Sequence, residues 1–298
     1  MSRVTFDELL NAGAHYGHLT RKWNPAMAPF IFGDKNSIHI IDLNKTTAKL
    51  EDAANALKQI AKSGKKILFV ATKKQVKSVL AEKAKSINMP YVTERWPGGM
   101  LTNFVTIRRS IREMATIDRM RTDGTMDSMA KRERLMIERH RAKLQTLFGS
   151  IAELTRLPAA LFVVDVNIEH IAVAEAKRLN IPTFAIVDTN SDPNVVDFPI
   201  PANDDAATSV ELIVGVITKA IEEGLSERKN ERDKEGPKDK EKSAEEVVSE
   251  EEQLERESNY SKKMALLSAE EAMAASAAKE AAKTKAAGTK TPAKATTK

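Results

Sequence analysis

Cysteine is absent from the chain. Disulfides and thiolate metal sites are thereby excluded, and a reducing cytoplasm is the expected setting. No run approaches the roughly 18–20 apolar residues that a membrane-spanning helix needs. The first ten residues lack the basic-then-apolar order of a signal peptide. Three phosphate-binding or nucleophile motifs are also missing: G-x-G-x-x-G, G-x-x-x-x-G-K-[ST] and G-x-S-x-G. Gly98-Gly99 is a bare doublet, read as a turn that needs positive φ.

What is present divides near residue 225. Between Ser226 and Lys298, 16 Lys+Arg face 16 Asp+Glu, with Tyr260 as the only aromatic. Such a segment buries too little apolar surface to offset its ordering entropy, and 226–298 is expected to be a disordered tail. The formal charge of +5 therefore belongs to residues 1–225. Within those, strand and helix patterns alternate. Strands are read at Ile38 to Leu43, Lys66 to Ala71, Ala160 to Val164 and Pro182 to Val187. Helices are read at Thr46 to Ala61, Gln75 to Ile87, Ile168 to Leu179 and Ala206 to Glu222. Short wholly apolar strands separated by helices predict an α/β three-layer sandwich with a mainly parallel sheet, of Rossmann or flavodoxin type.

One stretch, 104–154, breaks the alternation. Phe104, Ile107, Ile111, Met114 and Ile117 fall at helical spacing. Ile137, His140, Leu144, Leu147, Ile151 and Leu154 follow a 3-4 repeat, and Thr122-Asp123-Gly124-Thr125 signals a turn between them. The pattern predicts an inserted coiled-coil hairpin with its own small core, dividing the α/β domain into 1–103 and 155–225. This insertion also holds the excess charge: 12 Lys+Arg against 6 Asp+Glu from Arg95 to Leu147. A charged helix face is often only a solvated one. The bias toward arginine, a planar and permanently charged phosphate ligand, points instead to RNA backbone. A second basic-aromatic segment, His15 to Pro25, reads as an irregular arm whose aromatic rings and basic groups suit unpaired bases and phosphates.

At these residues the sequence resembles the bacterial small-subunit ribosomal protein S-two family. The runs that carry the resemblance are AHYGHLTRKWNPAMAPFIFG from Ala14, IHIIDLNKT from Ile38, ILFVATKK from Ile67, RWPGGMLTNF from Arg95, the long segment from Leu157 to Pro193, and IPANDDA from Ile200. Pro97 and Phe104 stand where Leu and Trp are expected, and the tail is longer than usual in the family. The resemblance implies a non-catalytic, ribosome-bound protein. It would bind 16S ribosomal RNA between the head and body of the small subunit and help dock the large messenger-binding protein S-one among neighbouring proteins, with no membrane contact and no homo-oligomer. Arg21, Lys22, Trp23, Lys73, Lys74, Arg95 and Trp96 are the expected RNA-binding residues of the α/β domain. Arg108, Arg109 and Arg112 are those of the hairpin.

Two other readings compete. Asp165 and Asp188 at strand ends suit an enzyme of Rossmann type, and the hairpin alone would suit a coiled-coil adaptor. No cofactor is required on the ribosomal reading. His18, Asp188 and Asp205, distant in sequence, form a candidate site for a structural divalent cation. His39 and His140 are expected to be structural, on a strand and on the seam.

Overall fold

The computed structural model describes residues 3–234. Thr5 caps α1 (Phe6–Asn11), accepting from the Glu8 N–H while the Glu8 carboxylate accepts from the Thr5 N–H. Three strands follow: β1 (Tyr16–Leu19), β2 (Ile31–Lys35) and β3 (Ile38–Ile41). They form a separate antiparallel sheet in the order β1-β3-β2. Asn36 and Ser37, with φ of 54° and 62°, make the two-residue turn between β2 and β3. Two expectations change here. The strand at Ile38 does not join the parallel sheet, and part of the arm expected to be irregular is strand.

Asp42 caps α2 (Leu43–Lys62) through its carboxylate. Then come β4 (Ile67–Val70), α3 (Lys77–Ser86) and β5 (Tyr91–Val92). The long helices α4 (Phe104–Thr122) and α5 (Lys131–Phe148) occupy the stretch without strand signal. The last described elements are β6 (Ala160–Val164), α6 (His170–Arg178), β7 (Thr183–Val187), β8 (Phe198–Pro201) and α7 (Ala207–Lys234). Strands β4 to β8 make one sheet, ordered β5-β4-β6-β7-β8, with every pairing parallel.

The wholly apolar strands bury both faces, and alternation decides which face each residue serves. Ile67, Phe69, Phe162, Val164, Phe184 and Ile186 pack with Leu50 and Leu57 of α2, Leu80 of α3 and Ile213 and Ile217 of α7. Leu68, Val70, Leu161, Val163, Ala185 and Val187 pack with Ala172, Val173 and Ala176 of α6. That second cluster also contains Ile107 and Met114 of α4 and Leu144 and Phe148 of α5. The base of the α4–α5 pair therefore shares the core of the sheet rather than owning a separate one. At ~1.5–3 kcal/mol for each large apolar side chain removed from water, these two layers dominate the stabilising side.

Residues up to Glu231 pack as one unit. Helix α7 continues past the compositional boundary at residue 225, because α2 offers it cations. Lys58 pairs with Glu223 and Glu227, and Lys62 with Glu231 at 2.5 Å. The rest of the expected tail, from residue 235, lies outside the described residues.

Candidate RNA interface and buried charge cluster

Parallel strands end together, so the segments that leave them converge. Lys73 follows β4, Asp165 follows β6, Asp188 follows β7, and Asp204 and Asp205 follow β8. Lys73 Nζ lies 3.0 Å from Asp165 Oδ2, 2.7 Å from Asp204 Oδ1 and 2.8 Å from Asp205 Oδ1. Its side chain is 11% exposed. Burial alone would lower the lysine pKa, but the carboxylates outweigh it and raise the value. Asp204 is fully buried. Burial, then the charges of Asp165 and Asp188, push its carboxyl up despite Lys73. Asp165 adopts φ of 68°, and its Oδ1 accepts from the N–H groups of Asn167 and Ile168.

The β1 segment closes this crevice. His18 Nδ1 is 3.0 Å from Asp188 Oδ2 and Nε2 is 3.6 Å from Asp205 Oδ2. The hydrogen bond to Asp188 raises the His18 pKa against its burial. The His18 N–H donates to Thr189 Oγ1 at 2.8 Å, tying the arm to the end of β7. The fold thus brings His18, Asp188 and Asp205 together as the sequence suggested. It adds Asp204, which with His18 and Asp188 places three ligand-type atoms within 4.8 Å of one another. It also adds Lys73, whose ammonium already neutralises Asp204 and Asp205. Lys73 was expected on the RNA side; here it points inward and is bound by three carboxylates.

The remaining α/β residues divide. Arg21, Lys22, Lys74 and Arg95 are exposed, and Trp23 is exposed beside the His39 ring, centroids 5.1 Å apart. Trp96 is only 6% exposed, which removes it from base stacking. Its indole N–H donates to Glu175 Oε1 at 3.1 Å. Glu175 was not foreseen. It sits on α6 among the buried Ala172, Val173 and Ala176, and an acid on an apolar helix face was the available signal. Its two oxygens also accept from the N–H groups of Gly99 at 2.7 Å, Leu101 at 2.9 Å and Thr102 at 3.0 Å, and from Thr102 Oγ1 at 3.2 Å. Burial pushes this carboxyl up, but the donors together bring it below the ordinary value.

On α4 and α5 the acids are largely paired within the pair of helices. Arg141 Nε meets Asp118 Oδ1 at 2.6 Å, His140 Nε2 meets Glu113 Oε1 at 3.1 Å, and Arg134 reaches Asp127 and Glu138. His140 is exposed and bridges the helices from outside rather than lying on the seam. In contrast Arg108, Arg109, Arg112, Arg119 and Arg121 make no ion pair among the described residues. Val105, Arg109, Arg112, Thr116 and Arg119 are all exposed and fall four, three, four and three residues apart, one stripe along α4.

Comparison with known proteins decides the kinship. The sequence profile described as Ribosomal protein S2 matches residues 9–224. The chain belongs to the ribosomal protein S2 family. A small ribosomal subunit protein uS2 from Phocaeicola vulgatus is 68% identical over 232 residues, covering 78% of this chain and 83% of the relative. The protein of the same name from Parabacteroides distasonis is 66% identical, covering 78% and 84%. That of Flavobacterium johnsoniae is 60% identical, covering 78% and 91%. The S2 family is a structural, non-enzymatic component of the ribosome, so the strand-end carboxylates belong to the architecture of an S2 protein. No described helix is long and apolar enough to cross a membrane.

Proposed function

We propose that this S2 protein binds 16S ribosomal RNA chiefly through α4, with the α4–α5 pair acting as a coiled-coil arm that grips phosphates. The observation that carries the reading is the unequal pairing of charge. The acids at Glu113, Asp118, Asp127 and Glu138 are engaged within the pair, whereas none of the five arginines of α4 makes an ion pair among the described residues; of the basic residues of α5, Arg134 and Arg141 are paired and Lys131, Arg132, Arg139 and Lys143 are not. Five guanidinium groups on one 19-residue helix, without an ion pair among the described residues, make a concentrated positive surface of the kind that attracts a polyanion. Phosphate contacts of this kind position a protein on folded RNA without reading its sequence. Arg21, Lys22, Trp23, Lys74 and Arg95 on the α/β domain supply a second, smaller contact.

In this reading the protein sits between head and body of the small subunit in the cytoplasm, as a single copy. S-one docks on the α/β domain, whose outer helices carry mixed charge, because the faces of the arm are taken by RNA. His18, Asp188 and Asp205 would additionally offer one nitrogen and carboxylate oxygens to a structural divalent cation, which metal analysis of native subunits reads directly.

The test is the salt dependence of binding to small-subunit RNA. Arg108→Glu, Arg109→Glu and Arg112→Glu together should leave helix content unchanged. They should weaken binding and reduce its log-log salt slope by at most about one unit per lost phosphate contact. Lys49→Glu, Lys65→Glu and Lys85→Glu, a matched charge change at exposed positions of the α/β domain, should leave the slope as it was. Equal slopes for both variants would return the arginines to the status of a solvated face.

A further inference from the structure

We infer that Glu175 is the positioning residue of the RNA-binding arm: its buried carboxylate, on the α/β side, fixes the 95–103 loop from which α4 departs, and so sets where the arginines of α4 point. The inference rests on the arm being the RNA-binding element.

Within the loop the Met100 N–H donates to the Pro97 carbonyl at 3.2 Å and the Asn103 N–H to that of Gly99 at 2.8 Å, and Met100 and Leu101 are buried; among the described residues the hydrogen bonds that tie it to the α/β side run to Glu175. The loop N–H groups at Gly99, Leu101 and Thr102 all converge on one carboxylate, as do the Trp96 indole and the Thr102 hydroxyl. Convergent backbone N–H groups of this kind form an anion-binding concavity. Here the anion is a side chain of the protein. Gly99 adopts φ of 87°, the left-handed conformation that turns its N–H inward. Each carboxylate oxygen is filled: Oε1 by Trp96 and Gly99, Oε2 by Leu101 and both groups of Thr102. Two residues after the last donor, α4 begins at Phe104. Apolar contacts of Ile107 and Met114 hold the base of the helix against the core, but such contacts are non-directional. Glu175 supplies the side-chain hydrogen bonds that tie this loop directionally to α6. The residue is 8% exposed and faces inward, so it cannot itself meet RNA. Its effect on binding must pass through the loop.

Full-length Glu175→Gln tests this. The amide keeps the shape but turns an NH2 group toward donors that need an acceptor. Helix content should be retained, the Trp96 indole N–H resonance should shift, and amide exchange at residues 99–102 should quicken. RNA affinity should fall by roughly 3- to 10-fold, about the effect of one hydrogen bond, with a lower salt slope. On a background of Arg109→Glu, Arg112→Glu and Arg119→Glu, the same substitution should cause a much smaller further loss, because the exposed basic stripe that the loop aims is reversed in sign. A merely structural role would lower affinity by the same factor in both backgrounds. If Glu175→Gln does not fold, Thr102→Val and Trp96→Phe each remove one donor and should each reduce affinity in the same background-dependent way. Wild-type RNA affinity in a variant with a loosened loop overturns the inference while leaving the arm's role intact. Wild-type affinity in the arginine variant defeats the RNA reading itself, and this inference with it.

Discussion

Replacing Lys73 by Met probes the buried cluster most sharply. The ammonium is the countercharge for Asp165, Asp204 and Asp205 at 3.0, 2.7 and 2.8 Å. Met fills similar volume and removes only the charge and its hydrogen bonds. Asp204 is fully buried and Asp165 nearly so, so both lose a partner that water cannot replace. Removing one member of a buried ion pair typically costs about 3–5 kcal/mol, since the orphaned charge keeps its desolvation penalty. For a domain of this size ~2–4 °C accompanies each kcal/mol, giving a drop in Tm of roughly 6–20 °C. The sign with pH is also fixed. Without Lys73 the Asp204 carboxyl, already raised, rises further. A carboxyl raised in the folded state contributes stability that is lost as pH rises through its folded value. The deficit of Lys73→Met should therefore be larger at about pH 8 than at about pH 5.5. Thermal melts in chelator-treated buffer at both values measure it. Adding Asp204→Asn should recover part of the loss. A penalty below ~1 kcal/mol, the size of an exposed pair, or one that shrinks as pH rises, would refute the reasoning.

Two further outcomes follow from close packing and from titration. A Cβ at Gly224 of α7 would meet the Lys58 carbonyl oxygen of α2 at 2.5 Å, so Gly224→Ala should destabilise by about 1–3 kcal/mol in urea unfolding, despite the ~1 kcal/mol gain in helix propensity; a stabilised variant would show that α7 does not press on α2 there. Glu175 has a lowered pKa, so its contribution is present above the ordinary value of 4.5 and is lost as pH falls through the folded value below it; the Tm gap between wild type and Glu175→Gln should narrow on acidification below about pH 4.5, and a gap that widens there would contradict the assignment.

The sequence reveals an element when one physical signal is strong enough to stand alone. Ala160–Val164 is apolar throughout and Thr183–Val187 is apolar after Thr183 because both faces are buried; the first appears as read and the second begins one residue later than read. Phe198–Pro201 escaped notice since Pro199 and Pro201 argue against a strand; it is tolerated at the sheet edge beyond β7, where unpaired N–H groups are unnecessary. Tyr91–Val92 is too short to show a period. Charge is legible as composition but not as direction. Lys73 and Lys74 are adjacent in sequence, yet one is enclosed by three aspartates and the other faces solvent. Trp96 looked like a stacking ring until its burial against α6 and its bond to Glu175 were seen. Those facts depend on contacts between residues more than seventy positions apart, which no local pattern records. That Asp188 and Asp205 meet follows from parallel strands bringing their ends to one side, whereas His18, on β1 of the antiparallel sheet, is brought there by the arm's contact with Thr189.

Co-sedimentation of the full-length chain with small subunits depleted of their own S2 protein tests the central claim directly. The wild-type chain should travel with the subunits, and Arg109→Glu, Arg112→Glu and Arg119→Glu together should release it at markedly lower salt while the isolated variant keeps its helical content. Retention of that variant to the same salt concentration as wild type would contradict the assignment of α4 as the element that holds ribosomal RNA.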